Sequence, residues 1–433
     1  MRKNLLFLML LVIGSAQLTA QQMNVSLQQL FELADTNNKK IAAERHKVDA
    51  ANESWLAAQD RRLPSIELSA TANYIANGYM WNREFSEGMS IDLPHFGNNF
   101  SLIVSQVLYA GGAISASVAA AELNKQIAML DYEQNRQEIH LLIAGNYLEL
   151  QKTLNHIVVF EQNIMLAQKL IDNIGKKHEQ GVALKNDRTR YELQLENLKL
   201  QLQRLKNLKV TLNMQLCTAV GLESGISFIP SDDVLSFENK KDLSYWQEQA
   251  DTSSLMLRMA TLDVKMKKNN EKAEKSTLLP SVLLVAGNEL QGPITFEIPT
   301  LDKNFNFMFA GVTIKYNIDA LYKSHYKRRK AHFDTQHSQL QLEWMRQNIK
   351  DQIETTIIQQ NEAYNEYCIE TKKLQLAQQN YNVINERYNN QVALLTDMLD
   401  AGNTKLAAEL DVINARINLA FMQLKLRYIC GAL

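Results

Sequence analysis

The chain has 433 residues, 46% hydrophobic and 21% charged, with 46 Lys plus Arg against 47 Asp plus Glu and a formal net charge of −1. That balance removes the basic surface nucleic acid requires, and 16 Gly with 6 Pro exclude collagen-like, Pro-rich and Gly-rich disordered chains. Beyond the N-terminus no stretch offers the roughly 20 consecutive apolar residues of a spanning helix, which excludes a helical membrane protein.

Arg2 and Lys3 form a short positive segment before an unbroken apolar run at 5–13. Gly14, Ser15 and Ala16 follow, with a second processing site at Ala20. This order predicts a secretory signal peptide over 1–20, cleaved after Ala16 or Ala20, and its apolar run is too short for an anchor. Losing Arg2 and Lys3 leaves 44 basic against 47 acidic residues, a net charge of −3. No Cys follows the cleavage region to carry a lipid. Cys217, Cys368 and Cys430 lack a C-x-x-C and read as small buried hydrophobes rather than a disulfide framework or a zinc site.

After Pro64, Ile66, Leu68, Ala70, Ala72 and Tyr74 alternate with Glu67, Ser69, Thr71 and Asn73, predicting a strand over 65–75 with one apolar and one polar face. A second strand is expected at 99–109, where Phe100, Leu102 and Val104 alternate with Ser101, Ile103 and Ser105. Ten alternating residues suit a tilted bilayer-crossing strand. They suit a soluble sandwich equally.

The prolines leave 108–229 and 300–433 free of proline. Because proline costs about 3 kcal/mol inside a helix, such gaps accommodate very long helices. Ile139, Leu142, Ile143, Tyr147, Leu150, Leu154, Ile157 and Val158 recur at three and four residues. Leu198, Leu205 and Leu212 stand seven apart, as in coiled coils. Helices are predicted over 113–180 and 187–219, the first roughly 100 Å long at 1.5 Å per residue.

The segment 221–245 breaks this pattern with Pro230, Asp232 and Asp233 and reads as a compact linker. Then the chain repeats itself. Leu279-Pro280-Ser281 matches Leu63-Pro64-Ser65, strands are expected at 281–289 and 304–316, and helices at 322–391 and 397–429. HEQGVALKND at 178–187 aligns with YNNQVALLTD at 388–397. Two repeats, 21–220 and 246–433, describe the mature chain.

Four strands cannot close a barrel, since single-chain barrels begin at about eight, and open edges do not survive in lipid. If the strands lie in a membrane, several copies must pool them. Three copies supplying twelve strands is consistent with this but not forced.

The signal peptide, the two copies, Leu-Pro-Ser before a strand, Gln106-Val-Leu-Tyr-Ala-Gly-Gly112 after one, and Thr396-Asp-Met-Leu-Asp-Ala401 at the second turn resemble the TolC family of outer-membrane efflux proteins. The resemblance spans nearly the whole mature chain. It implies a mainly α fold with a β-barrel part: a homotrimer sharing one 12-stranded outer-membrane β-barrel, a long periplasmic α-helical coiled-coil barrel, and a mixed α/β equatorial belt. The implied function is a channel-tunnel that passively exports substrates as the exit duct of a tripartite efflux or type I secretion system. It would sit in outer-membrane lipid, extend into the periplasm, and work with a periplasmic adaptor and an inner-membrane transporter.

Asp397 and Asp400 match the family's paired aspartates, which implies cation-selective rings at a periplasmic pore gate. Asp187 and Tyr388 match a pair that latches the mouth. The family's matching Arg is Ala393 here, with Lys185, Arg188 and Arg190 near enough in sequence to substitute. Gly181 keeps the family's turn glycine, whereas Gln391 replaces it in the second copy. Both turns are implied to carry adaptor contacts.

The remaining signals are plainer. Lys323, Lys327, Arg328, Arg329 and Lys330 follow the last strand, where anionic headgroups or solvent would meet them. His325, His332 and His337 lack metal spacing. Tyr79, Trp81, Phe85 and Phe96 belong to an expected outer loop. No catalytic set, cofactor fingerprint or metal motif is present in a suitable setting, and no enzyme is expected. The alternative function is a soluble periplasmic coiled-coil adaptor or scaffold.

Overall fold

The computed structural model describes residues 22–181, 184–232, 241–295, 297 and 300–433; the expected signal peptide and part of the linker, Asp233 included, lie outside them. In the first half the elements are β1 (Gln22–Val25), α1 (Leu27–Asn37), α2 (Lys39–Asp60), β2 (Ser65–Tyr74), β3 (Gly78–Met80), β4 (Met89–Ile91), β5 (Phe96–Ala110), α3 (Ala113–Glu179) and α4 (Lys185–Val220). The second half continues with β6 (Ser227–Pro230), α5 (Leu243–Ser253), α6 (Leu255–Ser276), β7 (Ser281–Gly292), β8 (Phe305–Lys315), α7 (Ala320–Lys323), α8 (His325–Asn389) and α9 (Leu395–Ile429). Helix lengths recur: 11 and 22 residues before the strands in both halves, then 67 and 36 in the first and 65 and 35 in the second.

Side-chain caps explain where these helices begin. Ser26 and Gln29 form a reciprocal capping box at the start of α1. Asn38 ends α1 and opens α2: its Oδ1 accepts from the amides of Lys40 (2.8 Å) and Ile41 (3.1 Å), while its Nδ2 donates to the Ala219 carbonyl at 2.7 Å. At the ends of α4 and α9, Gly221 (φ 76°) and Gly431 (φ 74°) adopt the left-handed conformation. A Cβ on Gly221 would lie 2.3 Å from the Asn37 carbonyl oxygen, and one on Gly431 would lie 2.5 Å from that of Ser253. Only glycine fits either place.

By internal packing the chain divides into two units, one of residues 1–46, 130–258 and 345–433, the other of 47–129 and 259–344. In the first, β1 pairs in parallel with β6. Tyr147, Phe228, Leu30, Ile143, Leu150 and Leu216 form its fully buried centre. The Tyr147 hydroxyl donates to the Val25 carbonyl at 3.1 Å and accepts from the Asp232 amide at 3.3 Å. A partly buried polar clamp joins α1 to α3. Arg136 donates to both Asp35 oxygens at 2.9 and 3.0 Å, and His140 Nε2 meets Asp35 Oδ1 at 2.9 Å. The His140 ring stacks on Phe31 at 4.2 Å. Burial lowers the His140 pKa against the opposing pull of Asp35. For Asp35, burial pushes upward, but the bonds from Arg136 and His140 outweigh it and hold the carboxyl low. A second apolar cluster of the same unit holds Phe160, Ile171, Ile174, Tyr191, Leu195, Leu198, Leu395 and Met398.

The second unit contains an antiparallel sheet of order β2-β5-β7-β8. Directly paired residues share a face. One face carries the rows Ile66–Val104–Ala286–Ala310, Leu68–Leu102–Asn288–Met308 and Ala70–Phe100–Leu290–Asn306. The other carries Glu67–Ile103–Gly287–Phe309, Ser69–Ser101–Glu289–Phe307 and Thr71–Asn99–Gln291–Phe305. The apolar face is open, with Ile66, Leu68, Met308 and Ile314 70–80% exposed, whereas Ser101 on the polar face is 7% exposed. Among the described residues, β2 and β8 are edge strands without an outer neighbour.

Several expectations change. β5 starts at Phe96, three residues before the expected 99. The single helix expected over 322–391 is broken near its start at Ser324, into the short α7 and the long α8. The expected outer loop contains a short hairpin, β3 with β4, on which Tyr79 and Trp81 contact each other at 4.8 Å. Cys217 and Cys430 are buried, but Cys368 is exposed, because α8 turns that position away from its neighbours. Leu142 and Val158, which recur in the three-and-four spacing of α3, are 57% and 51% exposed in the single chain; periodicity marks both faces of a helix that has apolar residues on each.

Candidate functional site

The paired aspartates and both turn residues fall where α3 passes into α4 and α8 into α9. Both turns are built alike. The Gly181 amide donates to the His178 carbonyl at 2.9 Å, and the Gln391 amide to that of Tyr388 at 3.1 Å. Gly181 has φ 74° and Gln391 φ 63°, so the glycine's replacement keeps the left-handed conformation that most side chains resist.

Each turn then starts a helix on a leucine, whose side chain has no acceptor. The missing cap comes from three residues on: Asp187 Oδ2 accepts from the Leu184 amide at 3.2 Å, and Asp397 Oδ2 from the Leu394 amide at 3.1 Å. An anion there also meets the positive end of the helix dipole. Asp187 and Asp397 are therefore equivalent helix-start residues. This was legible in the aligned segments, although the resemblance gives the two different roles. Asp397 and Asp400 are both exposed, one turn apart on α9.

Tyr388 lies half-buried beside Asp187. Burial first, then the Asp187 charge, raises its pKa. Lys177 approaches from α3, its Nζ 4.5 Å from the Tyr388 ring centre and 3.5 Å from the Tyr388 carbonyl oxygen. This lysine ties the two turns together on the side of the expected latch. Of the candidate substitutes for the absent arginine, Arg188 pairs with Glu192 on its own helix at 2.9 Å.

Beneath the turns, Tyr191 is buried next to Tyr381 and Tyr388, and burial raises its pKa strongly. Lys405 is 9% exposed, pairs with Glu409 at 3.3 Å and lies 4.9 Å from the Tyr381 ring centre. Asn163 donates to Glu409 at 3.1 Å. The sequence offered no signal for this buried ionic cluster beyond a Lys and a Glu four residues apart. A cavity of about 50 Å³ lies here, lined by Asn163, Tyr191, Tyr381, Met398, Gly402 and Leu406. That is room for one or two waters, far below the size of a drug-like ligand site. The arrangement is a packed, capped helical end carrying exposed carboxylates.

The remaining candidates disperse. Lys323 and Lys330 of the basic cluster pair with Asp319 and Asp334 at 2.9 and 3.0 Å. His332 approaches Glu271 at 3.8 Å. Among the described residues no helix is long and apolar enough to cross a membrane.

Residues 30–222 match the model of the outer membrane efflux protein family. The outer membrane protein TolC of Escherichia coli (strain K12) is 22% identical over 212 residues, covering 48% of this chain and 42% of that protein. The chain thus matches less than half the length of that relative. The solved fold is shared much further. The outer-membrane channel OprN superposes with a TM-score of 0.79 at 13% identity, covering 94% of this chain and 90% of that one. The outer membrane protein VceC of Vibrio cholerae does so with a TM-score of 0.76 at 15% identity, covering 94% and 96%. Family model and fold point the same way: residues 30–222, under half of the chain, match the outer membrane efflux protein model, and over 94% of its length the chain shares the fold of solved outer-membrane channels.

Proposed function

We propose that three copies of this chain pool their strands into one outer-membrane barrel and act as an export duct. One observation carries the reading: a four-stranded sheet that, among the described residues, has two unpaired edges and an apolar face left open to its surroundings. Unpaired edges in lipid cost several kcal/mol per backbone group, so closure requires further strands. Two copies would give eight, a barrel whose interior side chains fill; three give twelve and leave a lumen. Exposed apolar residues along the long helices, among them Leu142, Val158, Leu193 and Ile358, supply surface for neighbouring copies. A soluble adaptor is disfavoured because Ile66, Leu68, Met308 and Ile314 would face water.

The duct is passive, with transport energy supplied by an inner-membrane transporter through a periplasmic adaptor that meets the turns around Gly181 and Gln391. Asp397 and Asp400, repeated three times around the axis, form acidic rings at the periplasmic mouth and favour cations. Asp187, Tyr388 and Lys177 hold the neighbouring turns together. Fractionation with carbonate extraction, followed by conductance of the purified protein in planar bilayers, tests this reading. A membrane-integral, conducting assembly supports it; a protein released by carbonate and electrically silent refutes it.

A further inference from the structure

The register places three phenylalanines where a membrane protein would not be expected to spend them. Phe305, Phe307 and Phe309 stand on the polar face of the sheet, opposite the face that carries Leu68, Leu102 and Met308. Their ring centres follow one another at 5.4 and 6.2 Å, making a continuous aromatic ladder at the end of β8 that leads into the β7–β8 connection. The neighbouring strand is fitted to it. Phe309 lies over Gly287, where a Cβ would come 2.6 Å from the ring's Cζ, so the glycine lets the ring lie down on the sheet. Glu289 is the direct cross-strand partner of Phe307, with Ser101 on its other side and Gln291 and Asn99 in the next row.

In the pooled barrel proposed above, on which this inference rests, the polar face lines the lumen. A half-buried carboxylate set against stacked aromatic faces is a poor site for a hydrated inorganic ion, which would lose water without gaining ligands. Neutral solutes gain only the stacking, and anions are repelled by both the carboxylate and the negative ring faces. Both features favour one class of solute, a bulky cation whose charge is spread over an apolar body. We propose that the Phe305–Phe307–Phe309 ladder with Glu289 is a binding subsite of the lumen for lipophilic organic cations in transit.

Tetraphenylphosphonium, titrated onto the wild-type assembly in planar bilayers carrying potassium current, provides the test. Reversible block is expected, with tetramethylammonium far weaker. Phe307→Leu should raise the half-blocking concentration roughly ten-fold, equivalent to about 1.4 kcal/mol, and Glu289→Gln should raise it several-fold. Phe307→Tyr should retain block, as should Met308→Leu on the opposite face, and potassium conductance reports folding in every variant. Absence of block in a conducting wild type, block of equal strength by tetramethylammonium, or block indifferent to Phe307→Leu would overturn the subsite. A wild-type assembly that carries no current would instead overturn the channel itself.

Discussion

Asp397→Ala and Asp397→Asn separate two roles that one carboxylate holds at the second turn. The Oδ2 atom accepts from the Leu394 amide at 3.1 Å, and the leucine at the cap position has no acceptor of its own. Asp397 supplies the returning half of a capping box, and losing that hydrogen bond costs about 1 kcal/mol, while the charge at the helix start contributes about 0.3–1 kcal/mol. Alanine removes both, about 1.3–2 kcal/mol together, so local opening of the first turn of α9 should become roughly 9- to 30-fold more frequent. Asparagine keeps an acceptor and loses only the charge, so opening should rise about two- to five-fold. Amide hydrogen exchange at residues 394–398 in the assembled protein reads this directly. Cation selectivity in bilayers should fall in both variants, and equally in Asp400→Asn, since it depends on charge alone. Unchanged exchange in Asp397→Ala would refute the cap, and unchanged selectivity in all three would refute the rings.

Gly181→Ala and Gly221→Ala should differ in stability although both sit at positive φ. A Cβ at Gly181 meets nothing within 4 Å, so only the dihedral cost of about 1–2 kcal/mol applies. At Gly221 the added overlap with the Asn37 carbonyl should at least double the loss in denaturant unfolding. Similar losses in the two variants would contradict the packing described. The Asp35–Arg136–His140 clamp, with Glu133 alongside, makes stability depend on pH. Because the folded His140 pKa lies below its ordinary 6.5, the unfolded chain binds more protons in acid, and stability should decline as pH falls below about 6.5. Asp35, held below its ordinary 3.8, should add a further loss only below that pH. In His140→Gln the decline between pH 7 and 5 should flatten, and an unaltered slope would show that another group carries it.

Much of this arrangement was legible because simple periods and chain breakers encode it. Alternation from Ile66 to Tyr74 marked β2, and proline-free tracts marked α3, α4, α8 and α9, with three-and-four apolar spacing in α3 and seven-residue leucine spacing in α4. The turn segments around Gly181 and Gln391 aligned by residue type alone. What stayed hidden depends on partners distant in sequence. The pairing of β1 with β6 joins four-residue strands that carry no periodic signal. The phenylalanines of β8 visibly share one face, but only pairing with Gly287, Glu289 and Gln291 shows that this face is the polar one. His140 sits in a helical run without any local mark of the Asp35 that holds it. Leu142 and Val158 illustrate the converse: a helix with apolar residues on two sides shows one period and gives no indication of which side its own chain covers.

Native mass measurement of the mature protein extracted from outer membranes tests the pooling of strands most directly. Three chains in one conducting particle are expected. A stable single chain in the membrane, with the edges of β2 and β8 unpaired, would contradict it.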